Sequence, residues 1–99
     1  MSDNLDFSED ASQCLVTIVN QRGLHARAAA KFVKTTEIFK AQVGVTRNGQ
    51  TVSGRSIMGL MMLAAAPGTE IHIAADGPQA EDALEALKTL VEAGFHEED

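Results

Sequence analysis

The residues that most restrict how this chain can fold are Asn48-Gly49, set between Gln42-Val43-Gly44-Val45-Thr46 and Gln50-Thr51-Val52-Ser53. A two-residue hairpin loop needs positive φ at its centre, which Asn and Gly adopt at least cost, so the dipeptide predicts an antiparallel strand pair. Two further runs read as strands. Cys14–Val19 is β-branched and bounded by Asn20-Gln21-Arg22-Gly23, and Thr69–Ala74 alternates, with Ile71 and Ile73 inward and Glu70 and His72 outward. Between them lies helix-forming sequence. From Ala26 to about Glu37 the 3.6-residue period puts Ala26, Ala29, Ala30 and Val33 inward and Arg27, Lys31 and Lys34 on one exposed stripe. Ser56 opens a short apolar helix from Ile57 to about Ala65, stopped by Pro67-Gly68. Asp76-Gly77-Pro78 turns the chain into a third helix, whose stripe is Ala80, Ala83, Leu84, Leu87, Leu90 and Val91 and which ends near Gly94. The order β-α-β-β-α-β-α predicts an α/β (α+β) two-layer open-faced sandwich, a four-stranded, mainly antiparallel sheet with three helices on one face.

Length allows one such domain. With 99 residues, 44% of them apolar, the chain has room for an ordinary core at 14–95. Residues 1–13, acidic and serine-rich, are expected to be a disordered tail, and the acidic residues 96–99 a second tail in solvent. A lone cysteine, Cys14, with no basic and apolar leader, fits a reducing cytoplasm. The longest nearly apolar run, Ile57 to Ala66, is about half the ~20 residues a membrane helix needs, which excludes a span. Charge is segregated: residues 1–21 carry −4, 22–55 carry +6 and 56–99 carry −8. The basic segment suits an anionic small group or an acidic protein. Nucleic acid fits less well, because Trp and Tyr are absent for base stacking.

The chemistry concentrates at Gly23-Leu24-His25-Ala26-Arg27. His25 stands where a turn meets a helix start, so the unpaired amides of Ala26, Arg27 and Ala28 and the helix dipole would cradle a phosphate on or beside it. Arg27 adds a planar fork for phosphate oxygens. The same positive field favours a neutral imidazole with a lone pair able to attack phosphorus. On these residues alone the plainer alternative stays open, that His25 caps a helix or titrates in solvent.

A second feature is Arg55-Ser56 followed by Ile57-Met58-Gly59-Leu60-Met61-Met62. A short helix on one side of a sheet buries one stripe, yet this one is apolar nearly all round, so part of it is expected to form a docking surface unless other elements cover it. Ser56 caps that helix, and its hydroxyl is also a candidate phosphorylation site. His72 and His96 have no metal-ligand spacing to Cys14, no nucleotide-binding glycine loop is present, and no cofactor is implied. The chain lacks the equipment of a complete enzyme.

Together, GLHARAAAKFV, RNGQTVSGRSIMGLMMLAA and the GPQAEDALEAL helix resemble the HPr family, the histidine phosphocarriers of the phosphoenolpyruvate-dependent phosphotransferase system, over about residues 14 to 94. The ending, from GPQ through GFHEED, is similar to the nitrogen-branch members. The resemblance implies a carrier, not an enzyme, in which His25 accepts a phosphoryl group on Nδ1 from enzyme I and passes it to an enzyme IIA protein. It implies that Arg27 steadies that group and that Ser56 corresponds to the serine modified by HPr kinase/phosphorylase in some bacteria. It also implies the strand order first, fourth, second, third. Arg22, Leu24, Lys31, Lys34, Arg55, Ile57, Met58, Leu60 and Met61 are the expected docking residues of a cytoplasmic monomer. One position departs from the pattern: Ala28 stands where the family usually has proline, which restores an amide and loosens the first turn. Two alternatives remain at this stage: a small RNA- or ligand-binding module in which His25 only caps, and a regulatory relative modified on Ser56 alone.

Overall fold

The computed structural model describes Phe7 and residues 10–97; the remainder of the expected N-terminal tail, and residues 98–99, lie outside the described residues. Strands β1 (Ser12–Thr17), β2 (Gln42–Arg47), β3 (Gln50–Ser53) and β4 (Glu70–Asp76) alternate with helices α1 (Ala26–Glu37), α2 (Ile57–Met62) and α3 (Ala80–Glu92), and a short 3₁₀ turn, Gly94–His96, follows α3. The sheet order is β1-β4-β2-β3 and every neighbouring pair is antiparallel. Asn48 and Gly49 both take positive φ, 52° and 77°, as the two-residue hairpin between β2 and β3 requires.

Because successive strand side chains point to opposite faces, register sorts the sheet into a dry and an open side. Cys14, Ile73, Val45 and Val52 stand in one line across all four strands on the core side. On the open side Leu15, His72, Thr46 and Thr51 make the next line, where Leu15 is 61% exposed and the Thr46 and Thr51 hydroxyls bond at 2.7 Å. The helices cover the dry side. Phe32, Leu60, Leu87, Val91 and Phe95 join Ile18, Ile71 and Ile73 in a single core.

Three local expectations shift. The first strand begins two residues earlier than predicted and ends at Thr17; Ile18 continues irregularly, donating to the Thr69 carbonyl at 2.9 Å, and Val19 turns outward. On α1 the buried residues are Ala28, Ala29, Phe32, Val33 and Thr36, while Ala26 is exposed and Ala30 half-buried. Phe32, the largest apolar side chain of that helix, sets which face turns inward, and alanines carry too little apolar area to oppose it. Of the residues expected in a C-terminal solvent tail, His96 is exposed but the Glu97 side chain is only 7% exposed. Phe95 is fully buried, and the chain returns over α1 instead of leaving into solvent.

Candidate functional site

The site is built from a turn that glycine makes possible. Gly23 has φ +64°, and a Cβ there would lie 2.3 Å from the Ala65 carbonyl oxygen, so no side chain fits. The turn closes through Gly23 N–H to the Asn20 carbonyl (3.2 Å) and Asn20 Nδ2 to the Gly23 carbonyl (2.8 Å). Leu24 then drops into the core, its amide bonded to the Ala65 carbonyl at 3.0 Å. That anchorage leaves His25 as the next residue out.

His25 occupies the N-cap of α1 with extended backbone (φ −77°, ψ −178°) and makes no side-chain cap bond, so capping is not its role. Its carbonyl accepts the first ladder bond, from Ala29 N–H at 2.8 Å. The amides of Ala26, Arg27 and Ala28 precede the ladder and have no acceptor within the helix. Arg27 is exposed at the second helical position.

The ring itself is held from the far end of the chain. His25 Nε2 lies 2.5 Å from Glu97 Oε2, and the side chains are 23% and 7% exposed. The other carboxylate oxygen accepts from Asn20 Nδ2 at 3.0 Å. Burial alone would raise the Glu97 carboxyl pKa. Hydrogen bonds from His25 and Asn20, with the attraction of His25 and Lys31, outweigh that and hold it below the ordinary carboxylate range. An ionised carboxylate only accepts, so Nε2 is a donor, and a neutral ring so held carries its lone pair on Nδ1. Two features seat Glu97: the Phe95 side chain in the core, and Lys31 Nζ donating to the Phe95 carbonyl at 2.6 Å. To make this return, Gly94, Phe95 and His96 all take left-handed backbone, at φ 65°, 57° and 60°. For Phe95 and His96 that conformation is costly and persists only where the surroundings hold it.

The other expected residues separate into accessible and structural groups. Arg22 and Lys34 are exposed. Lys31 is half-buried and committed to the Phe95 carbonyl, so it leaves the exposed stripe it was assigned to. Arg55 is exposed but braces the loop after α1, its guanidinium donating to the Ala41 and Phe39 carbonyls at 3.1 and 3.3 Å. Leu24 and Leu60, expected on the docking surface, are 4% and 0% exposed and belong to the core, because each sits where its element turns toward the sheet. The rest of α2 does face out: Ile57, Met58, Met61 and Met62 are 41%, 68%, 38% and 65% exposed, so no other described element covers this face. Ser56 is the N-cap of α2, its Oγ accepting from Gly59 N–H at 2.9 Å. Gly59 leaves this corner tightly packed, since a Cβ would lie 3.0 Å from both Ser56 Oγ and Val52 Cβ and would make those neighbours give by a few tenths of an ångström.

Glu97 and Asn20 were not among the residues singled out from sequence. A signal was present in Phe95, a bulky apolar residue directly after a helix-ending glycine, where such residues commonly pack back on the helix.

Comparison with known proteins covers most of the chain, although the family match stops short of Gly94. A family model described as the PTS HPr component phosphorylation site matches residues 12–93. The phosphocarrier protein HPr of Neisseria meningitidis (serogroup A) is 50% identical over 82 residues, spanning 83% of this chain and 92% of that protein. The corresponding protein of Pseudomonas aeruginosa is 49% identical over 83 residues, with the same shares covered. Among solved structures, an HPr from Thermoanaerobacter tengcongensis superposes with a TM-score of 0.84 at 39% identity, over 89% of this chain and 99% of that one. An HPr from Bacillus anthracis gives 0.80 at 41% identity, over 84% and 99%.

Proposed function

The chain belongs to the HPr family of phosphocarriers, which carry a phosphoryl group of the phosphotransferase system from enzyme I to enzyme IIA and are not themselves enzymes, and within that activity we propose that His25 Nδ1 is the atom that carries it. The observation that supports this most directly is the Glu97 bond to Nε2, which leaves Nδ1 as the nucleophilic nitrogen. Nδ1 attacks the phosphorus of the group presented by enzyme I; the Nδ1–P bond forms as the donor's bond to phosphorus breaks, and the donor keeps that electron pair. Charge on the three equatorial oxygens meets the free amides of Ala26, Arg27 and Ala28 and the Arg27 guanidinium. Nε2 keeps its proton throughout, shared with Glu97. Delivery to enzyme IIA reverses these steps on a new acceptor. Positioning and a few donors suffice for such transfer, so the carrier needs little more.

Docking of both partners is assigned to the exposed apolar face of α2, Ile57, Met58 and Met61 with Met62, together with the exposed cations Arg22, Lys34 and Arg55. Methionines adapt to more than one surface, and exposed basic residues speed encounters with acidic partners. Phosphorylation of Ser56 by HPr kinase/phosphorylase would place negative charge within this surface and weaken docking. A cytoplasmic monomer that does not bind nucleic acid completes the reading; no described helix is long and apolar enough to cross a membrane. Incubation with enzyme I and phosphoenolpyruvate should add one acid-labile phosphate to the chain and none to His25→Ala. Full labelling of that variant would remove His25 from the assignment. ATP-dependent labelling lost in Ser56→Ala would test the second site.

A further inference from the structure

Two of the smallest residues in the sheet face each other on its open side. Gly44 of β2 is paired in register with Ala74 of β4, and both are buried although the helices lie on the opposite face. Ala74 is 9% exposed and does not belong to the core cluster. What lies over Gly44 is the ring of Phe7: a Cβ built on Gly44 would stand 2.9 Å from both Cε2 and Cζ of that ring, against 3.6 Å from Thr51 Cγ2. Gly44 is not one of the glycines with positive φ, so its backbone does not require glycine, and the ring is what excludes a side chain.

Phe7 precedes the residues matched by the family model, which begin at residue 12. It also lies on the far side of β4 from its own strand. Ser12, at the start of β1, pairs with Ala75 of β4, and Ala75 in turn pairs with Val43 of β2, next to Gly44. Phe7 over β2 and Ser12 on edge strand β1 are thus five positions apart in sequence, with β4 between them in the sheet. We propose that Phe7 acts as a strap: its ring seats in the Gly44–Ala74 saddle and clamps edge strand β1 onto β4. The strand so held leads directly into the Asn20–Gly23 turn that positions His25, yet the proposal stands apart from any role of that histidine.

The test is a double-mutant cycle in the full chain with Phe7→Ala, Gly44→Ala and both, read by hydrogen exchange of β1 amides relative to the β2–β3 hairpin. In an extended strand Gly→Ala ordinarily stabilises, because the unfolded chain loses freedom. Here Gly44→Ala should instead expel the ring, so each single variant should speed β1 exchange by about tenfold while hairpin exchange holds, and the double variant should be no faster than either. Slower or unchanged exchange in Gly44→Ala, or additive effects, would overturn the strap. Since the chain contains no Trp, Phe7→Trp supplies a second readout that requires no loss of stability. Its emission should be blue-shifted and shielded from acrylamide, and should become solvent-like when Gly44→Ala is added. Solvent-like emission in Phe7→Trp alone would equally reject the proposal.

Discussion

Replacing Phe95 by alanine asks whether the last turn of this chain is part of the domain or an appendage to it. Phe95 is fully buried, among the largest such side chains in the protein, and lies in a turn that contributes only three residues, Gly94–His96. Truncating a buried phenylalanine costs about 3–5 kcal/mol, from lost transfer energy and from the cavity left behind. Alanine at φ 57° keeps the backbone strain, so no relief offsets that loss. A domain of this size has a total stability of about 5–15 kcal/mol, so the variant should stay folded but only narrowly. With a urea m-value of about 1–2 kcal/mol/M, the midpoint should fall by about 1.5–5 M. Urea unfolding followed by circular dichroism, with m fitted freely, measures it. The turn has one escape that an interior residue lacks: it can peel away locally, which caps the cost at the free energy of docking. A loss below about 1 kcal/mol with m unchanged would therefore show that the turn is not integral to the core, and would refute the reasoning that seats Glu97 beside His25.

Glu97→Gln should slow phosphoryl acceptance from enzyme I and flatten its acid limb. The folded carboxyl lies below its ordinary value, so the contribution of the ionised group is complete above the unfolded pKa and disappears as pH falls through the lower folded one. A pH profile of labelling that is identical in the two proteins below neutrality would contradict this. Ser56→Ala should cost about 0.5–2 kcal/mol in urea unfolding through loss of the cap bond to Gly59, whereas Ser56→Asp, which can still cap, should stay within about 0.5 kcal/mol of the parent. Ala28→Pro breaks no ladder bond, because the first ladder amide is that of Ala29; thermal unfolding should show a change within about 1 kcal/mol. The labelling rate should change with it, since one of the three free amides at the helix start is gone.

Much of this fold is local and was open to reading. The Asn48-Gly49 hairpin, the end of the third helix at Gly94, and the alternation at Ile71 and Ile73 each express a preference of a few neighbouring residues, which long-range packing did not overrule; α2, by contrast, ends at Met62 instead of running to about Ala65, with Ala64 at φ 52° before Pro67-Gly68 is reached. The helix-start position of His25 and the Ser56 cap are local in the same sense, because a cap depends on the residues that immediately follow it. Where a residue's fate depended on which of several apolar neighbours won a place in the core, local pattern failed. Ala26 yielded the inward face of α1 to Phe32, and Leu24 and Leu60 were drawn inside while Met58 and Met62 were left out. Still less could period or spacing join Glu97 to His25, which are 72 residues apart. That contact exists because the core accepts Phe95 and holds three left-handed residues in place, and only the assembled structure supplies the packing energy to do so. Sequence alone thus determined the elements, their order and the histidine at the helix mouth. The ring's hydrogen-bond partner, and so which nitrogen is free to react, was decided by the tertiary fold.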